Sequence, residues 1–289
     1  MTARTEGPAR TSLGWRILVT AILAVVAVYF LVPVYWLIVA ATKTTDELLG
    51  TSPLWFAKQP HVWSNLTKLF AYDDHIYLRW IGNTILYSGV GALVATLLSA
   101  AAGYAMAKFD FRGREAAFNI VLGGVLVPMT VLALPLYLMF ASVGLADTYW
   151  SVLLPSVVSP FGVYLSRIYC EAAVPNDLLE AARVDGAGEL RIFFTVVLRI
   201  MSPALVTVFL FQLIGIWNNY FLPLVMLSDP RLYPLPLGLM SWLSVNDRVP
   251  VQTQLTVGGA LVSVIPLAIA IVVLQRFWRT GLTAGSVKA

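Results

Sequence analysis

NTILYSGVGALVATLLSAAAGYAMA (residues 83–107) runs directly into KFDFRGRE (108–115). The first stretch contains no Asp, Glu, Lys or Arg and exceeds the roughly 20 apolar residues that a membrane-crossing helix requires. The second is a short polar turn carrying Lys108, Arg112 and Arg114. Basic residues beside an apolar span mark its cytoplasmic side, so this span is expected to end inside at residue 107.

Working outward, five further stretches have the same character: 17–41, 116–141, 149–169, 200–227 and 255–275. Their interiors lack ionisable residues except Arg167, at the end of the fourth. Across the 289 residues, 59% are hydrophobic and 12% charged, and the mean hydropathy is +0.80. A soluble domain carries about 25% charged residues, so half that amount excludes a soluble enzyme, a nucleic-acid binder and a disordered chain. The expected fold is an all-α membrane protein with six transmembrane helices. The run at 17–41 is too long for the apolar core of a signal peptide and has no small-residue cleavage site after it.

With the N-terminus inside, thirteen basic residues fall on cytoplasmic segments and six on outer ones. Both termini are therefore expected in the cytoplasm. The organisation read from this is a tail over 1–16, a first span with its outer segment over 17–82, a core over 83–277 that includes a cytoplasmic loop at 170–199, and a tail over 278–289. The net charge of +4 reflects these scattered topology determinants, not a nucleic-acid face. Cys170 stands alone, and His61 and His75 lie in loops without metal-ligand spacing, so no metal site is expected. The spans also hold Pro33, Pro128, Pro135, Pro155, Pro160, Pro203, Pro223 and Pro266. Breaks of this kind are tolerated where a helix is buried in protein or lines a cavity, although proline is common in membrane helices generally.

No catalytic residues are expected, because no nucleophile and base can be assembled from the spans. None of the five lysines follows a glycine, which excludes a phosphate-binding P-loop in this chain. The span interiors offer no proton carrier, only amides such as Gln212, Asn218, Asn219 and Gln275. If transport is active, its energy comes from another subunit. A channel or an ion-gradient-driven secondary transporter also fits six spans.

The loop 170–199 reads EAAVPNDLLEAARVDGAGELRIFFTVVLR from Glu171. Pro175-Asn176 is a helix start, with Asn176 expected as the N-cap. Gly186-Ala187-Gly188 supplies the stop, and a second helix is expected from Glu189 toward the fifth span. Leu178, Ala181, Ala182 and Asp185 recur at helical spacing. A short helix–turn–helix of this kind suits docking into a partner's cleft. It also suits a solvated loop with ordinary caps.

Glu180-Ala181-Ala182, three residues, then Gly186 resembles the E-A-A-x-x-x-G signature of permease subunits of binding-protein-dependent ABC importers. The longer E-A-A-x-x-D-G-A form at 180–187 looks like the carbohydrate-importer version of the maltose-type family. PLYLMFASVGLADTYWSVLLPSVVSPFGVYLSRIYC (135–170), WNNYFLPLVML (217–227) and GLTAGSVK (281–288) continue the resemblance in order. One departure is Arg199, which stands where the family commonly has proline. The resemblance implies a multi-pass subunit of a bacterial or archaeal cell membrane, surrounded by lipid. Its implied partners are a second homologous permease, two ATP-binding cassette subunits and an extracytoplasmic solute-binding protein, with no nucleic acid. The chain itself would bind no cofactor, ATP and Mg being held on the partner subunits. Glu180, Ala181, Ala182, Asp185 and Gly186 would couple to the ATPases. Gln212, Trp217, Asn218, Asn219 and Tyr220 combine amides with aromatic faces, the chemistry that a polyhydroxylated sugar requires, although Trp and Tyr also anchor span ends. The implied solute is a sugar or small glycoside, with a polyol or glycerophosphodiester as the alternative.

Overall fold

The structure is a computed structural model that describes residues 13–244 and 251–284, with side chains described as far as Gln275. Arg4, Arg10, Arg248, Pro250 and Lys288, and the side chains of Arg276 and Arg279, lie outside the described residues. Every regular element among the described residues is helical. α1 (Leu13–Ala41) is followed by two short helices, α2 (Thr45–Gly50) and α3 (Val62–Ala71). α4 (Ile76–Lys108) leads to α5 (Arg114–Val125), α6 (Met129–Ser142), α7 (Tyr149–Ser156) and α8 (Pro160–Ala173). α9 (Asn176–Val184) precedes α10 (Glu189–Trp217), after which come α11 (Phe221–Met226), α12 (Leu235–Ser244) and α13 (Val251–Ala284).

An apolar run in lipid must satisfy its own backbone, and a helix does so within one segment. Five stretches are long and apolar enough to cross a membrane: α1, α4, α7 with α8, α10, and Val251–Gln275 of α13. α4 begins at Ile76, earlier than the expected 83, because Ile76, Tyr77 and Trp80 bury themselves against α12 and α13. The expected single span at 116–141 is instead a bent pair, α5 and α6 meeting at 105°. Pro128 causes the break: its ring excludes the carbonyl four residues back, and Val127 before it is disfavoured in helical geometry. The expected fifth span at 200–227 also divides. α10 stops at Trp217, Asn218 donates its side-chain amide to the Ile214 carbonyl at 2.9 Å, and Asn219 Oδ1 accepts from the Leu222 amide to open α11. Arg199 lets α10 continue unbroken, although a π-helical turn at Phe193–Val197 immediately precedes it.

Loops sort to two ends of the bundle. At one end lie the 108–115 turn, the α8–α9 link and the start of α10, where Lys108 Nζ donates to Val174 O at 2.6 Å and Arg167 Nη2 to Glu115 Oε1 at 2.8 Å. The opposite end gathers residues 42–75, 143–148 and 218–235. There Asp147, in the left-handed region at φ 56°, accepts from the amides of Ser228 and Asp229 at 2.7 and 3.0 Å. Side chains of α4 hold the same strand of chain: Trp80 Nε1 donates to Pro230 O, Asn83 Nδ2 to Arg231 O and Tyr233 O, and Tyr87 Oη to Leu232 O, all within 3.0 Å.

The two helices at the centre, α4 and α8, cross without a layer of side chains between them. Ser99 and Gly103 on α4 face Gly162 and Ser166 on α8. A Cβ on Gly103 would lie 2.6 Å from Ser166 Cβ and 2.7 Å from the Arg167 amide nitrogen. A Cβ on Gly162 would lie 2.5 Å from Ser99 Oγ. This reciprocal small-x-x-x-small pairing lets backbones approach in lipid, where packing rather than water exclusion drives association. α1, by contrast, is exposed along nearly all its length and is buried only at Val39–Ala41.

Candidate functional site

α9 is the first component of the site. Leu179, 2% exposed, anchors it among Tyr104, Cys170, Val174, Ile192 and Phe193. Burying such a leucine contributes about 2 kcal/mol. The opposite face is bare: Leu178, Ala181 and Asp185 are exposed, and Val184 is 88% exposed. Glu180 is exposed with them, whereas Ala182 turns inward to the core, so the expected four-residue face is split. Asn176 opens the helix as its first residue instead of capping it, because its Oδ1 accepts from Lys108 Nζ at 2.9 Å.

The stop at the end of α9 has specific geometry. Gly186 N donates to Arg183 O and Ala187 N to Ala182 O, both at 3.0 Å, with Gly186 at φ +81°. That pair of bonds is the Schellman termination, which needs a left-handed residue at the glycine position. Beyond it, Glu189 Oε1 accepts from Arg183 Nε at 2.7 Å and Glu189 Oε2 from the Tyr104 hydroxyl at 3.2 Å. The hydrogen bond from Arg183 to Glu189 raises the arginine pKa above its ordinary value.

The second component is a cleft of about 400 Å³ at the place where α5 breaks from α6 and α7 from α8. Val127, Met129, Leu132, Pro155 and Phe161 line it, and its polar groups come from Ser159 and Gln212. Ser159 caps α8, accepting from the Gly162 amide at 3.0 Å, and also accepts from Gln212 Nε2. No ionisable side chain lines this cleft.

The structure does not gather the other expected pathway residues there. Trp217 is buried in a core cluster with Trp80, Trp242 and Leu235. Asn218 and Asn219 spend their amides on helix ends, and Tyr220 precedes α11. Ser159 is not among the expected pathway residues; its signal in the sequence is Ser-Pro before an apolar run, a helix start. His61 and His75 are loop residues as expected, His75 Nδ1 lying 2.6 Å from Phe70 O. No group of potential metal ligands occurs among the described residues.

Several apolar spans in one bundle, two of them broken around an uncharged cleft, with an exposed short helix at one end, define a multi-pass membrane transport subunit. Residues 95–280 match the family model described as binding-protein-dependent transport system inner membrane component, and the chain belongs to that family. It is 33% identical over 95% of its length to the arabinooligosaccharides transport system permease protein AraQ of Bacillus subtilis, covering 96% of that protein. The lactose transport system permease protein LacG of Rhizobium radiobacter is 27% identical over 93% of this chain and 94% of its own. Among solved structures, a bacterial ABC transporter involved in the import of the acidic polysaccharide alginate superposes with a TM-score of 0.80 at 22% identity, covering 95% of this chain and 100% of that one. This last likeness shows the shared fold.

Proposed function

We infer that the chain is the permease subunit of an ATP-driven importer of sugars, receiving its solute from an extracytoplasmic binding protein. The observation that carries the coupling half of this reading is α9: a rigidly terminated helix that presents Leu178, Ala181 and Val184 to the exterior while Leu179 anchors it. In this reading α9 sits in a cleft of an ATP-binding cassette subunit, with Glu180, Ala181 and Asp185 at the contact, Ala182 packed beneath them and Gly186 setting the end of the helix. ATP and Mg are bound by the two cassette subunits, and a second permease completes the pathway. The basic end of the bundle faces the cytoplasm, an orientation the charge asymmetry supports, with α5 and α6 counted as one of six spans in a bacterial or archaeal inner membrane.

The relatives named for arabinooligosaccharides, for melibiose, raffinose and stachyose, and for lactose support a neutral oligosaccharide as the solute. The uncharged cleft agrees with that chemistry. ATP closes the cassette pair only if it binds one conformation of the assembly better than the other, so α9 transmits a switch between two states. Purified with its genomic neighbours and placed in proteoliposomes, the complex is expected to import labelled arabinotriose, raffinose or lactose in an ATP-dependent, vanadate-sensitive manner. Uptake driven by an ion gradient and indifferent to vanadate overturns the reading.

Gln212 is the polar group best placed in this chain's share of the pathway. Gln212→Ala is expected to slow uptake about fivefold, the effect of one lost hydrogen bond. Asn218→Ala should leave uptake within about twofold, since its amide serves the end of its own helix. Equal losses in the two variants, at equal membrane abundance, contradict this placement.

A further inference from the structure

We infer that Tyr104 and Lys108 on α4, with Arg183 and Glu189, form a joint that makes α9 move as one body with α4. The inference rests on the importer reading and adds the element through which a stroke at α9 enters the bundle. By covalent connection α9 joins α8 through Val174-Pro175 and leads to α10 through Gly186-Ala187-Gly188 and then the π-helical turn at Phe193–Val197. The Schellman stop sets the angle at which α9 ends, and its non-covalent contacts set how it sits against the bundle.

Those contacts run to α4 and to the first turn of α10. Tyr104 and Lys108 are four residues apart and share one helix face. Lys108 Nζ bridges Val174 O at 2.6 Å and Asn176 Oδ1 at 2.9 Å, which fixes the start of α9. The Tyr104 hydroxyl donates to Glu189 Oε2 at 3.2 Å, and Glu189 Oε1 accepts from Arg183 Nε at 2.7 Å, which ties the end of α9 to α4 through the first residue of α10. Between the two ties, Leu179 is buried against the same cluster as Ala100 and Tyr104. The Arg183 guanidinium also lies over the Phe109 ring at 5.9 Å. Charge-assisted bonds at both ends and a buried side chain at the middle hold a helix by position and by angle.

From α4 the path continues by contact. The Ser99–Gly103 face is interlocked with Gly162–Ser166 of α8, and the first turn of α8 begins at Ser159, on the cleft wall beside Gln212. A displacement of α9 therefore reaches the cleft through two packed helices, which are stiffer than a glycine-containing link.

Spin labels at Asp177 on α9 and Leu98 on α4, both exposed, test the joint in the assembled transporter. Between the nucleotide-free complex and the complex trapped with ATP and vanadate, their separation is expected to stay within about 2 Å. In Lys108→Met/Glu189→Gln the same separation should shift on trapping, and the ATP hydrolysed per labelled arabinotriose imported should rise about fivefold. Lys108→Arg, which keeps the cation, should restore the unshifted separation. A wild-type separation that changes on trapping as much as in the double variant overturns the joint, and so does a double variant that behaves as wild type. If the double variant fails to assemble, the wild-type comparison decides alone. A wild-type complex without ATP hydrolysis sinks the importer reading instead, and is recognised before any label is attached.

Discussion

Gly103→Ala is expected to lower the thermal unfolding midpoint of the subunit sharply, while Gly82→Ala and Gly89→Ala in the same helix leave it unchanged. A methyl group at 103 would stand 2.6–2.7 Å from Ser166 Cβ, Ser166 C and Arg167 N, two of them backbone atoms of α8. Backbone cannot rotate away, so the helices must separate along their whole crossing. Overpacking ordinarily costs about 1–3 kcal/mol, and a rigid contact of this kind belongs at or above the upper end. At Gly82 and Gly89 nothing lies within 4 Å of the added carbon. Thermal unfolding of the three variants in one detergent measures the contrast. Similar midpoints for all three would show that α4 and α8 are not in contact at this crossing.

Gly186→Val is expected to leave ATP hydrolysis by the assembled complex running while uptake falls about tenfold or more. The cause is conformational, because no atom lies within 4 Å of a Cβ at this position. At φ +81° a β-branched residue is strained by about 1–2 kcal/mol or more. The Schellman bonds from Gly186 and Ala187 are then lost, and α9 no longer ends at a fixed angle. Gly186→Asn, which enters the left-handed region more readily, should retain most of the uptake. Parallel measurement of ATP consumed and solute accumulated separates the two variants. Normal stoichiometry in Gly186→Val would show that the termination plays no part in coupling.

The helical class and most span boundaries were legible because lipid leaves a 20-residue apolar run one good conformation. The stop at Gly186 and the restart at Glu189 were legible for a similar reason, since glycine in that place has a single use. What stayed hidden depended on geometry between segments. Pro128 was visible as a break, but the 105° through which α5 and α6 turn was not. Asn218 and Asn219 looked like groups for a solute, yet helix ends nearer in sequence claim their amides. The Ser99–Gly103 and Gly162–Ser166 spacings were readable as small-residue faces, but not as faces of each other. Leu179 and Leu178 have the same chemistry, and only the docking of α9 decides which is anchor and which is free.

The segment at 230–235 has a consequence for how the protein is made. Trp80, Asn83, Thr84 and Tyr87 find their hydrogen-bond partners about 150 positions later in the chain. During synthesis α4 therefore enters the bilayer long before residue 230 leaves the ribosome, with its amide and indole donors still unmet. Pairings so distant in sequence form slowly and last. The nascent chain must wait in a half-built state, with its upper rim open, until the fifth span has been delivered.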